Sequence, residues 1–319
     1  MRVPVRQSRL RGLLLFAACV GALFTGAGVT AQVNRTPATP TGSTAAAFDA
    51  ARAWAHLQKQ VAFGPRPSGS AALNTCREYI AAELRKIGIE PRQQMFIPKT
   101  PLGEVSMINV IATIPGRRPE RIILASHYDT KRAPDFRFVG ASDGASSTAA
   151  LLELARVLKT RQNEFTVELL FLDGEEAVNW EWRDPDNTYG SRYYVQAARQ
   201  GNTLTSIKAL VLLDMIGDRN LLIERDATST PWLVDIIWNA AARLGHAKVF
   251  TNTIGAFEDD HVPFIQAGVP AVDIIDLNNY ARYWHTAQDD LEHVSEKSLK
   301  IVGDVVLAAL PEVEKRLVR

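Results

Sequence analysis

The chain has 319 residues, 46% hydrophobic and 22% charged, with a formal net charge of +1. That length holds one large core or two small ones. The near-neutral balance provides no electrostatic footprint for nucleic acid and none for an anionic membrane surface.

Arg2, Arg6, Arg9 and Arg11 precede an apolar stretch from Leu13 to Phe24, followed by small residues up to Ala31. This pattern predicts a secretory leader, residues 1–31, cut after Ala31, and is too short for a stable membrane span. Cys19 lies inside the apolar stretch, which continues past it and so argues against a lipid anchor there. Cys76 is then the only cysteine left, so no internal disulfide is expected. An exported chain without such a staple must be held by its core. Residues 32–47 are Pro/Thr/Ala-rich and read as a flexible linker. Residues 48–319 read as one catalytic domain.

Within that domain an amphipathic helix is expected from about Phe48 to Val61. A turn follows at Gly64–Ser70, where Ser68 or Ser70 could cap a helix over 71–87. Apolar, β-rich runs recur at Val105–Ile114, Ile122–Ser126, Val167–Leu172, Ile207–Leu213, Leu221–Glu224 and Ala271–Ile275. Helical patterns at 145–159, 190–199, 231–244 and 296–315 separate several of them. The alternation predicts an α/β fold, a central mixed but mostly parallel β-sheet flanked by helices.

The polar residues at the strand ends carry the chemistry. Val167–Leu172 runs into Asp173-Gly174 and then the adjacent carboxylates Glu175 and Glu176. Neighbouring side chains there splay apart, so one can bind a metal while the other serves as a base. Ile122–Ser126 leads into His127 and Asp129, and Ile207–Leu213 into Asp214. Asp143 precedes a helix that it could merely cap. Later come Asp259-Asp260-His261, where an acidic N-cap is again the bland alternative, and Trp284-His285. Sites of open α/β sheets form at the carboxyl ends of the strands. So many strand-end acids on one sheet would be costly as unpaired buried charges. A bound cation relieves that cost. Carboxylate and imidazole donors without thiolate suit catalytic zinc, whereas calcium prefers an all-oxygen shell.

The motifs HYD at 127–129, ASDG at 141–144, DGEEA at 173–177, LLDMIG at 212–217 and WHT at 284–286 resemble the zinc-dependent exopeptidases that include bacterial leucyl aminopeptidases. Within that family the chain more closely resembles the glutaminyl-peptide cyclotransferases. FVGASDGA at 138–145, YGSR at 189–192, EDDHVPF at 258–264 and YWHT at 283–286 carry this closer likeness, which runs from about residue 48 to the C-terminus. The resemblance implies one zinc held by Asp143, Glu176 and His285. It implies Glu175 as general acid/base, with Asp214 and Asp259 as hydrogen-bonded partners in a carboxylate network. Trp284, Tyr280 and either Trp182 or Trp180 would line the pocket. One extra residue between Glu176 and Tyr189, relative to the animal cyclases, leaves the choice of tryptophan open. The cysteine pair flanking the animal site is missing, with Ser126 at its first position, as fits a bacterial-type member.

The expected reaction is conversion of N-terminal glutamine of peptides or proteins to pyroglutamate with release of ammonia. The enzyme would act as a monomer with no nucleic-acid partner and no membrane attachment once the leader is removed, in the periplasm or outside the cell. The competing reading is a two-zinc aminopeptidase, in which His127 and Asp214 become ligands of a second metal. A non-catalytic module that kept the fold would ordinarily have lost ligands, and none is missing.

Overall fold

A computed structural model describes residues 46–319. The leader and all but the last two residues of the linker lie outside these, and among the described residues no helix is long and apolar enough to cross a membrane. Helices α1 (Ala50–Ala62) and α2 (Ala71–Lys86) come first. Asp49 caps α1 by accepting from the Arg52 N–H, and Ser70 caps α2 by accepting from the Leu73 N–H. Strands β1 (Arg92–Phe96), β2 (Lys99–Thr100), β3 (Gly103–Glu104), β4 (Met107–Ile114) and β5 (Arg118–His127) follow, then α3 (Ala145–Thr160), β6 (Phe165–Leu172) and α4 (Tyr189–Gln200). The remainder is β7 (Ile207–Asp214), β8 (Ile223–Asp226), α5 (Pro231–Arg243), β9 (Phe250–Gly255), α6 (His261–Gln266), β10 (Ala271–Ile275), α7 (Leu277–Tyr280) and α8 (Glu296–Val318).

Six strands form the central sheet in the order β1-β4-β6-β5-β7-β10. β1, β4 and β6 pair antiparallel, while β6, β5, β7 and β10 run parallel. The mixed, helix-flanked sheet expected from the sequence is therefore the observed one. Its parallel strands are nearly continuous apolar runs because both faces are covered. Alternate residues serve opposite faces. Leu124, Leu169 and Val211 pack under α1, α2, α3, α5 and α8. Ile123, Leu170 and Leu210 pack under α4 and α6. Each fully buried aliphatic side chain contributes roughly 1.5–3 kcal/mol, so a core of this extent holds the fold without a cross-link. Cys76 is buried in it as a free thiol, pushed up to about 11 by burial.

Four strands differ from the sequence expectation. The first run begins as a strand only at Met107, because residues 99–104 form a small hairpin before it. The run expected at Leu221–Glu224 is displaced to Ile223–Asp226 and pairs with β9 in a separate two-stranded sheet. β1 and β9 were not expected: RQQMF and FTNTIG are mostly polar and lie at exposed positions, so neither shows an apolar period.

The consequence for function lies in the parallel block. β5, β6, β7 and β10 end on one edge, and they end in His127, Asp173–Glu176, Asp214 and the segment after Ile275.

Candidate active site

Tight backbone turns aim these side chains. Gly144 (φ +85°) opens α3, and a Cβ there would lie 2.8 Å from the Asp129 carbonyl oxygen and 3.0 Å from the His127 ring. Only glycine lets Asp143 sit this close to His127. Gly174 (φ +76°) turns the chain out of β6, and a Cβ there would meet the Met107 sulfur at 2.5 Å. Met215 (φ +49°) and His285 (φ +51°) adopt left-handed backbone despite carrying side chains. Such conformations cluster where surrounding structure fixes a functional geometry.

Asp143, Glu176 and His285, the set the family resemblance implies, come together. Their donor atoms lie within 4.8 Å of one another. His285 Nε2 is 3.3 Å from Glu176 Oε2 and 3.5 Å from Asp143 Oδ2. Asp143 Oδ2 and both Glu176 oxygens are buried without a hydrogen-bond partner. Buried acceptors are rarely left so, and a cation between them would satisfy all three. The donor set therefore fits a bound metal. The His285 ring is held by Trp284, stacked at 4.0 Å, and by Phe138, edge-on at 5.7 Å.

Glu175 lies beside this cluster, with Oε2 3.6 Å from His127 Nδ1. Burial pushes its carboxyl well above the usual carboxylate range, against the pull of His127, and Glu176, Asp259 and Asp214 push it further. Burial would lower the His127 imidazole, but Asp214 and Glu175 outweigh it and raise the group well above its ordinary value. His127 Nε2 is 3.0 Å from Asp214 Oδ1 and 3.2 Å from Asp143 Oδ1.

Around the expected carboxylate network the structure supplies other partners. The partners of Asp214 are His127 and the Met215 N–H (2.7 Å), not Asp259. Asp259 lines the same pocket and accepts from the Asp260 N–H, and its Oδ2 has no partner. Its influence on Asp214 and Glu175 is through charge, since burial and then Asp214 raise its own carboxyl well above the usual range. Asp260 stands at the N-cap of α6 without a side-chain capping bond and accepts instead from Ser191 Oγ.

The cavity above these groups measures about 230 Å³. Trp182, Phe257, Leu277 and Trp284 form its apolar walls. Of the two candidate tryptophans Trp182 lines it, while Trp180, 54% exposed, packs edge-on against Phe136 and lies 5.8 Å from the His285 ring. Tyr280 does not line it: the ring is fully buried behind, and its hydroxyl donates to Asp289 Oδ1 (2.8 Å). Helix α7 presents Leu277 to the cavity in its place.

Three supporting residues carried little signal in the sequence. Asp289 accepts from the N–H groups of Ser142 (2.7 Å) and Asp143 (3.1 Å), so it fixes the backbone of a candidate ligand. Burial and then Asp143 push its carboxyl up to about 7. Asp129 accepts from the N–H groups of Glu175 (3.3 Å) and Glu176 (3.4 Å). Lys131, fully buried, donates to the Ala177 carbonyl (2.8 Å) and stands 3.8 Å from Glu176 Oε2. Asp129 stands in the HYD motif at 127–129 but without an indicated role, Lys131 only follows that motif, and Asp289 had no clue. Ser126, at the position of the absent cysteine, has its hydroxyl engaged with Ser147, Thr148 and the His127 carbonyl.

Residues 109–310, which include all of these groups, match the family described as Peptidase family M28. The chain belongs to peptidase family M28. Among M28 relatives, the glutaminyl-peptide cyclotransferase-like protein of Mus musculus is 31% identical over 77% of this chain and 72% of its own. The solved structure of an Acidobacteriales bacterium glutaminyl cyclase shares 37% identity, with a TM-score of 0.81 over 87% of this chain and 99% of that one. A Bacteroides thetaiotaomicron structure described as a leucine aminopeptidase precursor shares 29% identity, with a TM-score of 0.76 over 83% and 98% of the two chains. Within M28 the chain thus stands on the glutaminyl-cyclase branch.

Proposed function

We propose that this M28 protein cyclises N-terminal glutamine of peptides and proteins to pyroglutamate, releasing ammonia, with one zinc ion held by Asp143, Glu176 and His285. The observation that carries the single-metal reading is the contrast between two donor sets. Asp143 Oδ2 and both Glu176 oxygens are buried with no hydrogen-bond partner and face only the His285 ring nitrogen and, at 3.8 Å, Lys131, whereas His127 Nε2 and Asp214 Oδ1, needed for a second metal, are engaged with each other at 3.0 Å. The relatives named as glutaminyl cyclases support the cyclisation itself.

When bound, zinc supplies a Lewis acid for the γ-carboxamide carbonyl. The chain's own residues do the rest. A cavity of about 230 Å³ is below the roughly 300–1,000 Å³ of drug-sized ligand sites and suits a single residue. Its aromatic walls hold the glutaminyl side chain folded back so that its α-amine faces its γ-carbonyl carbon. Such positioning can remove several kcal/mol from the barrier. Glu175 takes a proton from the attacking amine and delivers it to the departing amide nitrogen. One C–N bond forms, another breaks, and ammonia leaves. A carboxyl held above the usual carboxylate range by burial suits both halves of that transfer. His127 and Asp129 hold Glu175 in place. The basic-apolar leader would export the enzyme, which N-terminal sequencing of the mature chain would check.

A second reading, a two-metal aminopeptidase, is favoured by one observation: His127, Asp143 and Asp214 also offer donor atoms within 4.8 Å of one another. Incubation with a Gln-initiated and a Leu-initiated peptide, followed by mass, separates the two. Loss of one ammonia from the Gln peptide alone supports cyclisation. Release of free leucine, with two metals per chain, would replace it.

A further inference from the structure

We propose that Glu258 reads the residue following the N-terminal glutamine and favours lysine or arginine there; this rests on the cyclase reading above. The cavity is lined by six carboxylates and one imidazole, with no lysine or arginine. Five of those carboxylates are buried and belong to the metal-facing or proton-transfer groups. Glu258 alone is exposed, and among the described residues it makes no hydrogen bond or ion pair.

Its position is nevertheless fixed. The preceding Phe257 is buried, donates its N–H to Asp226 Oδ1 (3.2 Å) and accepts at its carbonyl from Thr228 Oγ1 (3.2 Å). The following Asp259 is buried in the site. Glu258 is thereby held at the mouth of the cavity while its carboxylate stays free. Arg183, next in the chain to the cavity-lining Trp182, is exposed and already paired with Glu181 at 3.1 Å.

The cavity is closed at its base by Asp143, Glu175 and Glu176. A glutaminyl side chain directed to that base must send the rest of the peptide out through the mouth. The second residue then passes the Glu258 carboxylate. Acid-lined clefts with apolar walls focus their field on an approaching cation. An exposed pair of this kind changes kcat/KM by roughly two- to fivefold.

The test compares three peptides that differ only in second residue, Gln-Lys, Gln-Ala and Gln-Glu, at low salt. The expected order of kcat/KM is Lys, Ala, Glu, with the gaps closing in Glu258→Gln and the order inverting in Glu258→Lys. Raised ionic strength should narrow the gaps in the parent enzyme. Equal rates on all three, or gaps that survive Glu258→Gln, would overturn the inference while leaving cyclisation intact. If none of the three peptides were cyclised, the underlying reading would fall and this inference with it.

Discussion

Replacing Asp289 should damage both the fold and the metal site, in a ratio that the structure specifies. Its carboxylate accepts three hydrogen bonds, from the N–H groups of Ser142 and Asp143 and from the Tyr280 hydroxyl. Leaving a buried donor unsatisfied costs about 1–3 kcal/mol. Asp289→Ala orphans three, so a loss of at least about 3 kcal/mol is expected even if a water enters the gap and recovers part of it. Asp289→Asn keeps one acceptor and turns the other into a donor facing an N–H, which costs about 1–3 kcal/mol. Both changes also free the backbone of Asp143, and loss of such a support typically weakens metal affinity by about 10–100-fold. Tyr280→Phe is the control: it removes one bond, costs about 1 kcal/mol, and leaves both N–H contacts to Asp143 and Ser142 in place. Urea unfolding in chelator gives the first quantity, and competition with a zinc-binding dye gives the second. An Asp289→Ala protein with parental metal-free stability and parental zinc affinity would refute the reasoning. So would a Tyr280→Phe protein that loses zinc as severely as Asp289→Ala.

Glu175→Gln should lower kcat by about 10²–10⁴-fold while metal content per chain stays at the parental value, read by cyclisation assay and elemental analysis. Gly144→Ala forces a side chain into a backbone conformation of φ +85° and against the Asp129 carbonyl and His127 ring. A loss of about 1–3 kcal/mol is expected, visible as a lowered Tm. Asp276 accepts from the Leu222 N–H (2.9 Å), its Oδ1 has no partner, and burial pushes its carboxyl up to about 7. Its folded value therefore lies above its unfolded one. The stability it contributes is complete below pH ~4 and is lost as pH rises through about 7, by roughly 4 kcal/mol in all. Asp276→Asn keeps the acceptor for Leu222 and should flatten that part of the decline in a urea-midpoint series across pH; an unchanged slope would count against it.

The sequence revealed what its periods and strand ends encode. Long apolar runs such as Val167–Leu172 could be placed in the sheet because burial on both faces leaves no other composition. Asp143, Glu176 and His285 could be grouped because the short motifs that carry them resemble those of the zinc-dependent exopeptidases. What escaped had no local signature. β1 and β9 are polar edge elements whose existence depends on a partner strand, and β8 was misplaced by two residues for the same reason. Asp289 acts through main-chain groups almost 150 positions earlier, a relation set by tertiary contact alone. The family resemblance implies Tyr280 in the pocket wall, but likeness of motif does not fix which way a ring turns. In the fold Leu277 lines the cavity and the tyrosine hydroxyl donates to Asp289. Equally, nothing local told that Asp214 would take His127 as its partner instead of Asp259.

The solitary thiol of Cys76 has a consequence beyond packing. Among the described residues no second sulfhydryl exists for it to join, and burial pushes it up to about 11. At neutral pH only about one molecule in ten thousand would carry the reactive thiolate, and that one is shut inside the core. The folded domain is therefore indifferent to the thiol–disulfide poise of its surroundings. It needs no oxidant to mature, offers no sulfur for isomerases to rearrange, and has the same covalent structure whether it is made in a reducing cell interior or in an oxidising space outside.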